Sequence, residues 1–483
     1  MVFSTLLFLF LFLPAVLTGN FVLPFRFRNY FLLLSSFVFF AWGGVSYSLL
    51  LVLSVLINYT VGLLIHKFRK SLGAKIALGI GVGMNLLIIV IFKYANFIID
   101  NLNILRVDLS YDPLEIGTIL LPIGISFYTF QAISYLIDLY RKQVVVQKNL
   151  ADLALYIFLF PQLIAGPIIR YHDISNQIKH RHNSIDNFVE GIKRFILGLA
   201  KKVLIANQMA VIADQAFSLP SDNLSTAFAW MGIIAYSFQI YFDFSGYSDM
   251  AIGLGRMLGF KFPENFNFPY IARSIKEFWR RWHISLSTWF RDYLYIPLGG
   301  NKKGSVRTYV NLLIVFFLTG LWHGASWNFV IWGFFHGFFL VLERLGLDKF
   351  LVKLWHPLQH IYTLFVVLIA WVFFRADTLE ASIGYLKAMF AYKSITGNIG
   401  FISEYDNVVY YFVAIAAIIS SSTFWVDIQK FLLKVQAKLS SSANSLYLNL
   451  SFIFQLLAIV LVLALTTFLL VSNSYNPFIY FRF

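Results

Sequence analysis

Histidines, aspartates and a run of cations among tryptophans are the residues of this chain that could do chemistry. The stretch LTGLWHGASWNFVIWG (318–333) places His323 at the end of the apolar run NLLIVFFLTGLW. An imidazole in hydrocarbon is expensive and needs a partner or a wet cavity, so it is a candidate site by default. A neutral imidazole, with an ordinary pKa of about 6.5, can take a proton from a hydroxyl at neutral pH. A positioned base of this kind is worth about 10²–10⁴ in rate. The alternative is a core histidine bonded to a backbone carbonyl. His336, further on in GFFHGFF, has no metal-ligand spacing to His323 and reads as structural. His356 and His360 straddle Pro357, and His172, His180 and His182 lie in a basic loop, so no metal site is expected.

Asp243 and Asp249 lie in FDFSGYSDMAIGLGRMLG (242–259), at the end of a long apolar helix. Two carboxylates could share acid–base work, yet at this spacing they fall on opposed faces of an ideal helix unless Gly246 breaks it. Capping of a broken helix, or pairing with Arg256, is the other reading. The third group is SIKEFWRRWHISLSTWFRDYLYIPLGGNKKG (274–304), too polar to span. At about 100° per residue, Lys276, Arg280, His283, Ser287 and Arg291 share one face, and Phe278, Trp282, Leu286, Trp289 and Tyr293 the opposite one. That pattern predicts a helix lying in the membrane interface. It is either a headgroup anchor or a polyanion-binding lip, where Arg and Lys would take the phosphates of coenzyme A and a tryptophan its adenine.

The elements that must position these residues are membrane helices. Of the 483 residues 59% are hydrophobic and 13% charged, with a mean hydropathy of +0.73. Soluble domains sit near 45–50% apolar and about 25% charged, so the fold class is an all-α integral membrane protein. Cysteine is absent, which removes disulfides, thiolate metal sites and sulfur nucleophiles. The net charge of +15 fits basic loops held on the cytoplasmic face, and no nucleic-acid partner is expected.

A span needs about 20 apolar residues. Candidates fall at 3–23, 30–43, 45–65, 76–99, 116–140, 150–168, 189–217, 226–242, 308–323, 326–343, 359–375, 407–424 and 450–472. Some are too short or polar to cross alone, so about 11 transmembrane helices are expected, the rest being re-entrant or interfacial. Residues 3–13, FSTLLFLFLFL, lack the basic start of a signal peptide and read as a retained first helix. No linker divides residues 1–483, which read as one polytopic domain with a core at roughly 115–375 and terminal helices at 376–483. The basic segments 66–75, 141–148, 170–182 and 273–307 are predicted to be cytoplasmic.

Taken together, QIYFDFSGYSDMAIGLGRMLGF, FPYIARSIKEFWRRWHISLSTWFRDYLYIPLGGNKKG and TGLWHGASWNFVIWGFFHG resemble the membrane-bound O-acyltransferase superfamily. Within it they resemble the bacterial branch that O-acetylates alginate or peptidoglycan, and the likeness covers nearly the whole chain. The resemblance implies a ring of tilted helices around a central tunnel, with His323 as the catalytic histidine and His283 as the second family histidine. It also implies acetyl-CoA as the donor, with no further cofactor. The acetyl group would pass across a bacterial inner membrane to a periplasmic SGNH-type acetyltransferase that modifies a polysaccharide of the alginate, peptidoglycan or cellulose type. Lys276, Arg280 and Arg291 would hold the donor, with Asp243 and Asp249 as supporting polar groups and membrane lipids around. Phe478, Tyr480 and Phe483 match the F-x-Y-x-x-F ending of a companion peptide in the related teichoic acid system. Tyr480 is therefore either a transient acyl acceptor or an aromatic interfacial anchor. Two rivals remain, a lipid-directed O-acyltransferase and a transporter or flippase of an acylated substrate.

Overall fold

The computed structural model describes residues 1–69, 71–115, 117–181, 183–392, 408–437, 440–472, 475–477 and 479. Among these residues the secondary structure is helical, with no strand. Among the described residues seven helices are long and apolar enough to cross a membrane, or up to eight if the bent pair Tyr410–Ser421 and Val426–Gln436 is one span. About eleven were expected, and the difference has local causes. The run 150–168 is not one span but Leu150–Phe158, a four-residue helix Phe160–Leu163 and a buried loop. Ile125–Tyr140 has 16 residues and Phe25–Ala41 has 17, each short of the roughly 20 that cover the hydrocarbon. Thr226–Met257 is long enough, at 32 residues, but its second half carries the polar run around Asp243 and Asp249.

That long helix is the centre of the fold, and it corrects one expectation. It runs through Gly246 without a break. Gly246 serves close packing instead. A Cβ there would lie 2.7 Å from the Gly198 carbonyl, and one on Gly198 would lie 2.6 Å from the Gly246 carbonyl. Gly191 and Gly253 repeat the arrangement one contact further along. The long helix and Ile185–Ala200 therefore touch backbone to backbone, the small-residue packing that membrane helices use where apolar side chains give no driving force.

The hairpin Ser305–His323 and Trp327–Leu342 is built the same way. A Cβ on Gly320 would collide with the Phe329 carbonyl, and one on Gly333 with the Phe316 carbonyl. The first arm has 19 residues, about 28 Å at 1.5 Å per residue. His323 thus ends a helix of spanning length that begins beside Lys302 and Lys303. His356–Arg375 packs on the second arm and closes that side of the core. Ser441–Ser472 lies outermost, its apolar side chains largely exposed to the surrounding hydrocarbon.

Candidate active site

His323 is 3% exposed. It is the last helical residue before Gly324, whose extended backbone ends the helix. Aromatic rings enclose it edge-on: Trp322 with centroids 4.9 Å away, Trp332 at 5.0 Å and Phe374 at 5.0 Å. Trp332 also stands 5.0 Å from His336, whose Nδ1 accepts from Trp279 Nε1 at 3.3 Å. Trp322 and Trp332 are buried in this cluster, whereas Trp327 is half exposed and bonds Asn101.

The sequence placed His283 on a continuous basic face, and the structure corrects that. The interfacial segment is two short helices, Ile275–Arg281 and Ile284–Phe290, broken at His283, which sits in the left-handed region at φ 43°. The break turns the imidazole inward. His283 is fully buried, its Nδ1 is 3.1 Å from Asn265 Oδ1, and its ring centroid is 5.8 Å from that of Trp322. Burial lowers its pKa to about 3, so it stands neutral. Asn265 Oδ1 also accepts from the Ser285 amide and hydroxyl, which fixes the start of the second helix. Glu343 does the same for the first, accepting from the amides of Ile275 at 2.6 Å and Lys276 at 3.0 Å. Lys276, Arg280 and Arg291 remain exposed, on the outer side of the segment. The structure therefore brings His283 and His323 together across Trp322 and separates both from the cations.

Asp243 and Asp249 do not form a carboxylate pair for proton transfer, and neither pairs with Arg256. Asp243 is bound to Lys202 at 2.8 Å, with both side chains almost fully buried. Asp249 is bound to Arg194 and Lys201, each at 2.6 Å. Asp243 Oδ2 also accepts from the Ile479 amide at 2.9 Å, and Lys202 bonds the Pro477 carbonyl. The C-terminal segment is anchored in the core by these contacts, with Asn476 bonded to Ser4 and Tyr475 to Asp214. Tyr480, like Phe478 and Phe483, lies outside the described residues. Its neighbours Pro477 and Ile479 line a cavity of about 280 Å³ together with Gly324–Ser326, Phe329, Phe374 and Arg375.

Sequence reasoning passed over four buried polar groups here: Asn265, Glu343, Lys202 and Lys93. The two lysines had a signal, since each is an ionisable residue inside a predicted span. A further polar network joins His172, Asp138, Asp173 and Arg170. His172 Nδ1 is 2.7 Å from buried Asp138 and its Nε2 is 3.1 Å from Asp173. Tyr293 donates to Asp138 at 2.8 Å, and Arg170 binds Asp292 at 2.8 Å. These bonds tie the segments 138–142, 170–173 and 291–293 together. Three of the basic segments thus lie against one another. The hydrogen bond to Asp138, then that to Asp173, raises the His172 pKa to about 9. Asp173 is pushed up by burial but drawn down further by His172 and Arg170, to about 2.

Residues 142–376 match the model of the membrane-bound O-acyltransferase family. The probable alginate O-acetylase AlgI of Azotobacter vinelandii is 48% identical over 397 residues, covering 82% of this chain and 79% of that protein. The peptidoglycan O-acetyltransferase of Helicobacter pylori is 38% identical over 431 residues, covering 82% and 81%. The teichoic acid D-alanyltransferase of Bacillus subtilis is 31% identical over 225 residues, 44% of this chain.

Proposed function

The chain belongs to the membrane-bound O-acyltransferase family, and we propose that it is a multi-pass membrane enzyme that O-acetylates a polysaccharide. The relatives that cover most of the chain are named for acetylating alginate and peptidoglycan, which supports acetyl as the group and a glycan as its destination. The membrane is the bacterial inner membrane. The donor is acetyl-CoA from the cytoplasm, its phosphates held by Lys276, Arg280 and Arg291. By the positive-inside rule the Lys302–Lys303 end of the histidine helix faces the cytoplasm. The cavity at Gly324–Ser326 lies at the other end of that helix.

The transfer needs one base and closes without a cofactor. A hydroxyl oxygen attacks the thioester carbonyl while His323 takes its proton. The new C–O bond forms, the C–S bond breaks, and the imidazolium returns the proton to the CoA thiolate. His283, neutral and held by Asn265, shares Trp322 with His323 and fixes the other wall of the reaction site. Tyr480 is the first acceptor, forming a transient ester that a periplasmic SGNH-type acetyltransferase takes on to the polysaccharide. Support for that step is the lining of the cavity by Pro477 and Ile479, on the same short segment. The helices that ring the histidines would enclose a tunnel joining the donor and acceptor sides.

The observation that carries this reading is the position of His323, a buried imidazole at the end of a span-length helix, across Trp322 from His283 and beside a cavity lined by Gly324–Ser326. The test is sided. Protein in vesicles, given acetyl-CoA on the Lys302 face alone, should release free CoA there and deliver acetyl to an acceptor on the other face. Acetyl-CoA that stays intact while substrate crosses would identify a transporter and overturn the reading. Tyr480→Phe with normal acetyl delivery would remove the tyrosyl ester.

A further inference from the structure

Lys93 is a buried ionisable group that the proposed chemistry leaves unused. It lies in LLIIVIFKYANFIID (86–100), deep in the span Leu72–Asp108, and is 8% exposed. A lysine at that depth requires acceptors. Its Nζ finds two uncharged oxygens, Ser126 Oγ at 3.2 Å and the backbone carbonyl of Trp322. The next residue, Tyr94, donates its hydroxyl to the carbonyl of Leu321. Leu321 and Trp322 are the two residues immediately before His323.

The location of these carbonyls gives the contacts their meaning. The last four carbonyls of a helix have no intrahelical donor, and here the Gly324 amide returns to Gly320, at 3.3 Å. The remaining acceptors of the final turn must be met by side chains or left unpaired in a water-poor interior, at about 1–3 kcal/mol each. Lys93 and Tyr94 meet two of them from another span. They sit in Val90–Tyr94, a segment wound as a π-helix inside that span. Such segments are rare and gather at functional sites. In an α-helix, neighbouring side chains diverge by about 100°, yet here two consecutive ones converge on a single helix end. Lys93 also stands 5.9 Å over the Trp322 ring. That ring in turn lies 4.9 Å from His323 and 5.8 Å from His283.

We propose that Lys93 and Tyr94 are positioning residues that clamp the last turn of the histidine helix, and so hold Trp322 and the His323 imidazole at the reacting carbonyl. The proposal rests on the reading of His323 as the base. It makes Trp322 the tie between the two histidines and Lys93 the group that holds the tie. A misplacement of about 1 Å in such a centre can lower turnover about 10²-fold without weakening substrate binding.

The test uses the full chain in lipid nanodiscs, with Lys93→Met and Tyr94→Phe as variants, and reads turnover and backbone hydrogen exchange. Lys93→Met should keep KM for acetyl-CoA while kcat falls about 10²-fold. Tyr94→Phe, which removes one hydroxyl, should act in the same direction by about tenfold. In both, amides at 320–324 should exchange faster while those at 308–316 keep their protection. Wild-type exchange at 320–324 in both variants would overturn the proposal. So would a fall in activity carried by KM, or a loosening of the whole helix from 308 onward. If the wild-type protein does not turn over acetyl-CoA, the proposed function fails, and the exchange at 320–324 still decides whether the clamp exists. Should Lys93→Met not fold, Tyr94→Phe alone decides it by the same two readings.

Discussion

Asp243 and His323 are buried to a similar depth, 1% and 3% exposed, but their settings differ in kind. Around Asp243 the neighbours are a lysine ammonium and a backbone amide. Asp249 is likewise gripped by Arg194 and Lys201. Around His323 stand the edges of Trp322, Trp332 and Phe374, with a cavity beyond the helix end. The carboxylates are committed to architecture, joining the long helix to its neighbours and to the C-terminal segment. The imidazole stands among ring edges at the end of its helix. On the proposed function, polar groups at depth serve two separate purposes here, the aspartates joining helices and the imidazole the chemistry.

The largest effect that tests this contrast is on Asp243. Asp243→Ala leaves Lys202 buried without this carboxylate, and breaking a buried pair from one side costs about 3–5 kcal/mol. The expected outcome is a lower thermal midpoint and poor recovery of folded protein. Asp243→Leu combined with Lys202→Met should recover much of that stability, since a well-packed apolar pair is often neutral against a buried ion pair. A folded Asp243→Ala protein of normal stability but no turnover would break the contrast and return Asp243 to the chemistry. A smaller effect belongs to the exposed cations. Replacing Lys276, Arg280 and Arg291 together by Gln should raise KM for acetyl-CoA by about tenfold, equivalent to about 1.4 kcal/mol. Stability and kcat should stay as they were, and an unchanged KM would leave these residues as headgroup anchors.

The smallest effect concerns His172. Its folded pKa of about 9 lies above the ordinary value, so its bonds to Asp138 and Asp173 contribute fully below about pH 6.5. That contribution is lost as pH rises through 9. The thermal midpoint of the wild-type protein should therefore exceed that of His172→Gln at pH 6, and the gap should close by pH 10. A gap that stays constant across this window would show that His172 acts by packing alone.

Much of this was legible in the residues themselves. Long apolar runs announced the all-helical membrane fold, and a histidine ending one of them announced the candidate base. What escaped was set by tertiary contact. A helical wheel assumes one unbroken helix, so it put His283 beside Lys276 and Arg280, whereas the left-handed turn at His283 sends it inward. Gly246 reads equally well as a helix breaker or as a contact surface, and only the approach of Gly198 decides between them. Arg256 was the cation nearest Asp249 in sequence, but Arg194 and Lys201 are nearest in space. Lys93 was lost for a different reason: one charge in a long apolar run barely changes its mean hydropathy.

The central claim is that His323 performs the chemistry and the buried carboxylates do not. It is tested most directly by His323→Ala in purified full-length protein, with CoA release from acetyl-CoA measured alongside the thermal midpoint. The account predicts a turnover about 10³-fold below wild type, with KM for the donor and the thermal midpoint both close to wild type. A folded His323→Ala protein that still consumes acetyl-CoA at the wild-type rate would contradict it.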